Sequence, residues 1–302
     1  MEKPKLILLV GLVASGKSTI AKQLAEEYNA IIYSSDDLRE ELFGDINECN
    51  RNEELFKELK LRVKNSLSNG KNIIWNSTNL SYKKRKAILE EMRKYNCKNI
   101  CYLIATPYEE CLKRNLHRER KVPEHVIKKM YMNINIPQYY EGFNKINIIY
   151  NTYKEYNSIK LFDELDNINQ ENIHHTLTIG KHCKKCAEEL TKHYDCNLKF
   201  AGLLHDIGKK FCKSFKNNKG EETENATYYQ HHFVSAYDSL FYLKDIEDGI
   251  TIDDILEITN LIQWHMRLFN ETEKSKNKFI NMVGQEFYDK LILLHEADKN
   301  AK

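Results

Sequence analysis

A glycine-rich run near the start of the chain has the spacing that binds nucleotide phosphates. The run Gly11-Leu-Val-Ala14-Ser15-Gly16-Lys17-Ser18-Thr19 contains the complete pattern G-x-x-x-x-G-K-[ST]. Backbone N–H groups of such a loop point at phosphate oxygens. The lysine reaches the β- and γ-phosphates, and the following serine ligates Mg²⁺. The pattern therefore predicts ATP with Mg²⁺ as the cofactor, bound by Gly11, Ala14, Ser15, Gly16, Lys17, Ser18 and Thr19.

Two charged clusters in the same half could complete a phosphoryl-transfer site. Asp36, after a predicted strand, can take a proton from an attacking hydroxyl, and Arg39 can hold an acceptor phosphate. The alternative for these two residues is an ordinary i,i+3 ion pair. Arg114 and Arg118 are four residues apart, so we expect them to share a helix face and to cover the γ-phosphate as a lid. The alternative for this pair is a solvated basic face.

Histidines concentrate in the second half, where nine of the eleven lie at or after His174. The string His205-Asp206-Ile-Gly-Lys209 is the strongest pattern there. Four more candidate ligands fall on separate predicted helices, and helices that converge such side chains form metal sites. They are His175, His231, His265 and Asp298. Mixed nitrogen and oxygen ligands suit Mn, Fe, Co, Ni or Zn, with Mg less favoured.

The elements that position these residues differ between the two halves. Apolar runs at 5–10, 30–35, 72–78, 99–105 and 146–151 indicate strands, and helical patterns occupy 17–28, 51–68, 82–95, 107–119 and 124–135. This alternation predicts an α/β domain with a parallel sheet and flanking helices. Helical spacing at 172–193, 198–212, 228–243, 252–268 and 277–299 predicts an all-α second domain. We place the domains at 1–155 and 165–302, and an exposed loop at 216–225.

Charge and composition limit the class of protein. Residues 1–160 carry 28 Lys and Arg against 20 Asp and Glu, whereas residues 161–302 carry 18 against 24. A basic first half suits a polyanionic ligand, although a solvated basic face is the alternative. No stretch approaches the about 18 apolar residues of a membrane span. We therefore expect no membrane partner. The eight cysteines are scattered among intracellular-looking motifs, which indicates reduced thiols and a cytoplasmic protein. Cys183 and Cys186 have no matching second pair, so we expect a structural role for them.

Residues 5–140 resemble the 5′-OH polynucleotide kinase family. The shared motifs, in order, are the glycine loop, Asp36 with Arg39, Thr78-Asn79, Arg114-Asn115 with Arg118, and Val122-Pro123. The resemblance implies that Asp36 is the general base and that Arg39 binds the 3′-side phosphate of the acceptor, with Thr78 and Asn79 beside it. Arg118 and Arg114 would contact ATP. Asn76 and Ser77 stand where the family usually has an aspartate, so acceptor preference is expected to differ.

Residues 172–300 resemble the HD phosphohydrolase superfamily, especially the HD domain of some bacterial tRNA nucleotidyltransferases. The resemblance runs from His175-Thr-Leu through Leu-Leu-His205-Asp206-Ile-Gly-Lys209 and His231 to Asp298. It implies that His175, His205, Asp206 and Asp298 bind one metal. His231 and His265 would bind a second metal or the substrate phosphate, and Lys209 would neutralise the scissile phosphate. His174 and His232 stay open as alternates for His175 and His231.

The two resemblances together match kinase–HD fusions that heal RNA ends. The expected activities are ATP-dependent phosphorylation of 5′-OH ends and metal-dependent hydrolysis of 2′,3′-cyclic, 2′- or 3′-phosphate ends. The expected partners are an NTP donor, a nucleic acid, with RNA favoured over DNA, and a separate ligase. Two alternatives remain. One is a small-molecule or nucleoside kinase with an HD nucleotide phosphohydrolase, and the other is a nucleotide-sensing regulatory protein.

Overall fold

The computed structural model describes residues 2–48, 50–173, 176–244, 246 and 249–301. The chain forms two compact units, one of Met1–Tyr131 with Pro137–Tyr153 and the other of Met132–Ile136 with Lys154–Lys302. The candidate metal ligands His174 and His175 lie outside the described residues. Within the described ranges, no helix combines the length and the apolar character that a membrane crossing requires.

A five-stranded parallel sheet forms the centre of the first unit, in the order β2-β3-β1-β4-β5. Its strands are β1 (Lys5–Val10), β2 (Ala30–Ser34), β3 (Asn72–Asn76), β4 (Lys98–Ala105) and β5 (Lys145–Tyr150). All side chains from Leu6 to Val10 are fully buried, as the middle strand of a parallel sheet requires. The predicted α/β fold is confirmed. Because the strands are parallel, the loops that follow β1, β2 and β3 leave the same edge of the sheet.

Helices connect these strands. They are α1 (Lys17–Tyr28), α2 (Ser35–Phe43), α3 (Asn52–Ser68), α4 (Tyr82–Met92), α5 (Tyr108–Leu116) and α6 (Glu124–Tyr131), with short 3₁₀ turns at Arg93–Tyr95 and Tyr139–Glu141. Helix α2 begins directly after β2, where the Ser34 side chain accepts hydrogen bonds from the backbone N–H groups of Asp36 and Asp37. The two carboxylates in this first turn also favour the positive end of the helix dipole.

Helix α5 ends at Leu116, three residues before the predicted end at residue 119. The Asn115 side chain explains the difference, because it donates to Val122 O at 2.8 Å and accepts from Val122 N at 3.0 Å. These two hydrogen bonds close the loop between α5 and α6 and replace further helical turns. We call residues 117–123 the lid loop.

The second unit is mainly helical, as predicted. Its helices are α7 (Ser158–Leu165), α8 (Ile179–Leu190), α9 (Cys196–Leu204), α10 (Lys209–Cys212), α11 (His231–Leu243), α12 (Ile252–Trp264), α13 (Glu273–Val283) and α14 (Gln285–Asn300), with 3₁₀ turns at Thr191–His193 and His265–Asn270. An antiparallel hairpin of β6 (Ser214–Lys216) and β7 (Glu222–Thr227) occupies most of the predicted exposed loop. The second unit is therefore not purely α-helical.

Two helices that the sequence pattern predicts as continuous are each divided, and a glycine lies at or near each division. The predicted helix at 198–212 is interrupted after Leu204, and a Cβ on Gly208 would lie 2.6 Å from Ser235 N and 2.7 Å from His231 O. Glycine at this position therefore permits the backbone to approach α11 closely. The predicted helix at 277–299 is divided at Gly284, whose φ of 90° lies in the left-handed region.

Candidate active sites

The loop between β1 and α1 surrounds the ammonium group of Lys17. Lys17 Nζ donates to Leu12 O at 2.6 Å and to Gly11 O at 3.1 Å. Gly16 has a φ of 94°, and a Cβ there would lie 2.3 Å from Asn151 Nδ2. Burial lowers the pKa of Lys17 to about 8. The loop therefore holds a cation whose charge a bound phosphate would stabilise.

The segment after β3 is hydrogen-bonded to this loop. Asn76 Nδ2 donates to Ser18 Oγ at 3.3 Å, and Gly11 N donates to Thr78 O at 3.1 Å. Asn79 Nδ2 donates to Leu9 O at 2.8 Å. These hydrogen bonds of Asn76, Thr78 and Asn79 fix the shape of the phosphate loop, and the contact of Thr78 and Asn79 with an acceptor stays a prediction.

Asp36, in the first turn of α2, lies among three arginines. Its Oδ1 accepts from Arg39 Nη1 at 3.0 Å and from Arg120 Nη1, and its Oδ2 lies 3.8 Å from Arg118 Nη2. Arg39 is 6% exposed, and its Nη2 also donates to Asn52 Oδ1 at 3.0 Å. Arg120 is absent from the predicted site. It lies two residues after Arg118 in the same basic run, which is the feature that could have identified it.

Arg114 and Arg118 do not share a helix face, contrary to the prediction, because α5 ends between them. Arg114 Nη2 donates to Glu110 Oε2 at 3.0 Å and to Asn151 O at 2.9 Å. Asn151 Nδ2 in turn donates to Ser15 O in the phosphate loop at 2.8 Å. Arg114 is thus joined to the phosphate loop through Asn151, whereas Arg118 belongs to the lid loop and faces Asp36.

Four histidines of the second unit meet in two pairs around Asp206. His182 of α8 and His205, directly after α9, place their Nε2 atoms 3.2 Å apart. His231 of α11 and His265, directly after α12, place theirs 3.1 Å apart. Ligand atoms of the first pair and Asp206 all lie within 4.8 Å of one another, and the same holds for the second pair and Asp206. We call the four histidines, Asp206 and Asp298, six residues in all, the histidine–aspartate cluster.

Each imidazole of the cluster is oriented through its Nδ1 atom, which lies close to a backbone carbonyl. The Nδ1–O distances are 3.0 Å from His182 to Ala301, 2.8 Å from His205 to Gly202, 2.7 Å from His231 to Tyr228 and 2.7 Å from His265 to Ile262. A carbonyl oxygen can only accept, so Nδ1 carries a proton and the neutral ring presents a lone pair at Nε2. The four Nε2 atoms are therefore arranged as cation ligands.

The two carboxylate oxygens of Asp206 face different histidine pairs. Oδ2 lies 3.3 Å from Nε2 of both His182 and His205, and Oδ1 lies 3.1 Å from His231 Nε2. Asp298 Oδ1 joins the first pair, 3.1 Å from His182 Nε2. Two ligand atoms at about 2.1 Å from one metal lie roughly 3 Å apart, which these separations match. Asp206 Oδ1 is buried without a hydrogen-bond partner, so the donor set fits a divalent cation at each pair.

Protonation at the first pair depends on the carboxylates. Burial acts to lower the pKa of His205, but the nearby charge of Asp206 outweighs it and raises that pKa to about 10. Although burial acts to raise the pKa of Asp206, His205 and Lys209 hold it well below its usual range. Burial lowers the pKa of His265 well below its usual range. A cation at the first pair therefore competes with a proton, whereas His265 is deprotonated.

Lys209 contacts the cluster from the side of α10. Its Nζ lies 2.6 Å from Asp206 Oδ2 and donates to Gln170 Oε1 at 2.7 Å, and it lies 5.4 Å from the ring centroid of Tyr228. The side chain of Lys209 is buried. This geometry lets Lys209 position Asp206, and the contact with the scissile phosphate that the resemblance implies stays a prediction. Gln170 is a supporting residue that carries no motif and is not predictable from the sequence.

Of the predicted metal ligands, the structure brings together His205, Asp206, His231, His265 and Asp298. His182 is the cluster member that the sequence reasoning misses, and the predicted ligand His175 lies outside the described residues. His182 lies on the buried face of α8 with Ile179, Cys183 and Cys186. A histidine within an apolar helical stripe, 23 residues before His205, is the signal that could have found it. Both cysteines are buried free thiols.

His231, and not its neighbour His232, belongs to the cluster. The ring centroid of His232 lies 6.2 Å from that of His265 and 4.1 Å from that of Phe233. Burial lowers the pKa of His232 to about 3, so this ring is neutral at physiological pH. His231 is the first residue of α11, and from this position its ring, and not that of His232, reaches His265 and Asp206.

Family comparisons match the two units separately. Residues 6–137 match the family described as an AAA domain, and residues 172–300 match the HD domain. The first match contains the phosphate loop and the lid loop, and the second contains the whole histidine–aspartate cluster. The chain therefore carries a P-loop kinase domain followed by an HD domain.

Individual relatives match parts of the chain. L-seryl-tRNA(Sec) kinase of Methanococcus maripaludis is 28% identical over 170 residues, which cover 55% of this chain and 66% of that protein. A chain in a solved structure of a Pnkp1/Rnl/Hen1 complex is 28% identical, with coverage of 40% and 42% and a TM-score of 0.36. A fungal RNA kinase structure is 14% identical, with coverage of 55% and 44% and a TM-score of 0.39. The chain spans less than two thirds of the length of each of these relatives.

Proposed function

We propose that this chain, which joins a P-loop kinase domain to an HD domain, heals the ends of broken nucleic acids, RNA in preference to DNA. Its kinase domain would phosphorylate 5′-OH ends, and its HD domain would hydrolyse 2′,3′-cyclic, 2′- or 3′-phosphate ends. The observation that carries the proposal is the set of three arginines around Asp36. A carboxylate that can accept a hydroxyl proton lies there amid excess positive charge, which suits an acceptor that carries phosphates.

In the kinase step, the 5′-hydroxyl oxygen of the acceptor bonds to the γ-phosphorus of ATP. The bond from that phosphorus to the β–γ bridging oxygen breaks, ADP leaves, and Asp36 accepts the hydroxyl proton. Lys17 stabilises charge on the β- and γ-phosphates, and Arg118 of the lid loop lies near enough to Asp36 to act at the same centre. Ser18 would hold Mg²⁺, which neutralises phosphate charge when bound.

In the HD step, His182, His205, Asp206 and Asp298 would hold one divalent cation, and Asp206, His231 and His265 a second. Cations bound there would lower the pKa of a water molecule and polarise a phosphoryl oxygen. Backbone carbonyls keep the four imidazoles in their ligating tautomer. Lys209 keeps Asp206 ionised and oriented through its contact at 2.6 Å.

The similarity to L-seryl-tRNA(Sec) kinase supports a second candidate for the kinase domain. In that case the acceptor would be the hydroxyl of an aminoacyl group carried by a tRNA. The same Asp36 would accept the proton, and the arginines would bind tRNA phosphates. The two candidates differ in the position of the phosphorylated hydroxyl, which is measurable.

The test is incubation with an RNA that carries a 5′-OH and a 2′,3′-cyclic phosphate, with and without ATP·Mg²⁺ and with Mn²⁺, Ni²⁺, Co²⁺, Fe²⁺ or Zn²⁺. We expect a new 5′-phosphate only with ATP and loss of the cyclic phosphate with one or more of the metals. Lys17→Ala should remove only the first activity, and Asp206→Ala only the second. An unchanged 5′ end together with phosphorylation of seryl-tRNA would replace the first candidate with the second.

A further inference from the structure

Two partly exposed apolar side chains follow directly after the cluster histidine His265. Met266 and Phe269 lie in the 3₁₀ turn His265–Asn270, and 37% of the first and 47% of the second are exposed. Side chains three residues apart in a 3₁₀ helix eclipse each other, so these two share one face of the turn. We call Met266 and Phe269 the apolar platform. Adjacent exposed apolar side chains beside a candidate active site indicate a surface that a ligand covers.

His295 of α14 supports the platform from one side. Its ring centroid lies 4.5 Å from that of Phe269, and the two ring planes meet at 77°. A ring met at this angle is covered by its neighbour on at most one face. His295 also lies three residues before Asp298, so these two side chains share one face of α14. The two segments that form the platform and its support therefore each carry a member of the histidine–aspartate cluster.

The imidazole of His295 has hydrogen-bonding capacity that the described residues leave unused. Its Nδ1 atom is buried and has no hydrogen-bond partner among them. Burial lowers the pKa of His295 against the opposing charge of Asp298, so the ring is neutral at physiological pH. A buried polar atom without a partner calls for one from outside the described residues. The edge of a nucleobase, which carries both donors and acceptors, is such a partner.

The charge of the second unit limits the kind of contact that can hold a nucleic-acid end there. Residues 161–302 carry 18 Lys and Arg against 24 Asp and Glu. This balance gives little attraction for a phosphate backbone, because affinity for the backbone comes from lysines and arginines. Stacking of a base on an aromatic side chain does not need net positive charge, and every base has a π-face. The platform supplies a contact of this second kind.

The position of the platform fits the base of a nucleotide that is bound at the cluster. Phe269 lies four residues after His265, which corresponds to about 8 Å along a 3₁₀ helix. In a terminal nucleotide, the base is attached to the ribose on the side away from the 2′,3′-phosphate. When that phosphate lies at the cluster, the base must therefore lie beside the cluster and not at it.

We propose that Phe269 stacks on the base of the 3′-terminal nucleotide whose phosphate the HD domain hydrolyses. Met266 extends the stacking surface, and His295 is a positioning residue that holds the ring of Phe269. The proposal rests on the HD function proposed above. Because stacking requires a base, the preferred substrate is a nucleotide end and not a base-free sugar phosphate. Purine ends should bind more tightly than pyrimidine ends, since their stacking surface is larger.

The test compares two RNA oligonucleotides with a 2′,3′-cyclic phosphate end. One carries adenine on the terminal ribose, and the other carries hydrogen in place of that base. For the metal-loaded wild-type protein we expect the KM of the adenine-ended RNA to be lower by at least about fivefold, the lower limit for stacking of one base. Phe269→Ala should raise this KM to about that of the base-free RNA, whose own KM should change by less than about twofold.

Further variants separate stacking from apolar bulk. Phe269→Tyr keeps a π-face and should retain the difference in KM between the two RNAs, whereas Phe269→Leu keeps the apolar bulk and should lose it. His295→Ala should reduce the difference and leave the KM of the base-free RNA unchanged. Tyr194→Ala is the matched control, because this 97% exposed ring precedes the end of α9 that lies opposite His205. It should leave both KM values unchanged.

A terminal 2-aminopurine gives a readout that does not depend on hydrolysis. Its fluorescence should fall when the RNA binds the wild-type protein, because stacking quenches it, and should not fall with Phe269→Ala. Equal KM values for the two RNAs in the wild-type protein would overturn the proposal. Retention of the difference in Phe269→Ala would do the same, as would unquenched 2-aminopurine bound to the wild-type protein. Hydrolysis of neither RNA would instead overturn the HD function itself. A melting temperature of Phe269→Ala within about 2 °C of the wild type is the check that the variant is folded.

Discussion

The Nε2 atoms of His231 and His265 lie 3.1 Å apart, and both residues direct their Nδ1 atoms at backbone carbonyls. Two rings held in this way both direct Nε2 at the same point, which suits a cation between them. The Nε2 atoms of His182 and His205 lie 3.2 Å apart at a second such point. Asp206 lies between the pairs, with one oxygen toward each, so the two pairs form one connected site.

Metal content should follow this connection. We expect about two divalent ions per chain in the wild-type protein, about one in His265→Ala and fewer than one in Asp206→Ala, because Asp206 contributes to both positions. The measurement is elemental analysis after dialysis against one metal at a time. His193→Gln lies outside the cluster and should retain both ions. One ion in the wild-type protein, lost in His265→Ala, would contradict a site of two cations.

His182 should be essential for the phosphoesterase and irrelevant to the kinase. Removal of its imidazole takes a ligand from the pair of His182 and His205, which Asp298 joins. His182→Ala should therefore lower the rate of cyclic-phosphate hydrolysis by about 100-fold or more. The 5′-kinase rate measured in the same preparation serves as the control. Full hydrolysis by His182→Ala together with inactivity of His175→Ala would assign the ligand role to His175.

ATP binding should weaken as pH rises through about 8, the value to which burial lowers the pKa of Lys17. Below this pH the ammonium is charged and pairs with the β- and γ-phosphates. Above it, binding must supply a proton to Lys17, so the dissociation constant should rise by up to about tenfold per pH unit until the pKa of the bound state is reached. Titration calorimetry between pH 6.5 and 9.5 measures this, with Lys17→Met as a variant that should bind weakly at every pH. A dissociation constant that is flat to pH 9.5 would contradict a lowered pKa for Lys17.

Breaking the ion pair of Arg85 and Glu141 should destabilise the first unit. Both side chains are fully buried, and Arg85 Nε and Nη2 each lie 2.6 Å from a carboxylate oxygen of Glu141. Glu141→Gln should lower the free energy of unfolding by about 3 kcal/mol, because it leaves a buried guanidinium without its counter-charge. Urea denaturation in a Trp264→Phe background, followed by the fluorescence of Trp75, reports on this unit alone. A loss of less than about 1 kcal/mol would indicate that water or another group compensates.

Part of this architecture is readable from the sequence because it depends on local pattern. The five strands are continuous apolar runs, and the phosphate loop combines a strand, two glycines and a helix start in one short segment. The residues His205 and Asp206 are identified by a string of five letters. In each case the physical cause lies within a few residues of its effect.

The remainder depends on contacts between distant segments. Helix α5 ends early because Asn115 binds Val122 across the lid loop, which no helical periodicity reveals. Arg120 is one charge in a basic run until the fold places it on Asp36, which lies 84 residues away. His182 has the sequence environment of a core residue, and only the packing of α8 against α9 and α14 brings it to Asp206 and Asp298.

Three of the four cluster histidines take their orienting carbonyl from the residue three positions earlier, namely Gly202, Tyr228 and Ile262. A main-chain oxygen is supplied by every amino acid, so no particular side chain is needed at these positions to orient the imidazoles. The side chains there are constrained by packing instead, because a Cβ at Gly202 would lie 2.6 Å from Leu190 Cδ1 and Ile262 is fully buried. A comparison of sequences would therefore register the packing at these positions and not the main-chain hydrogen bond that orients each histidine.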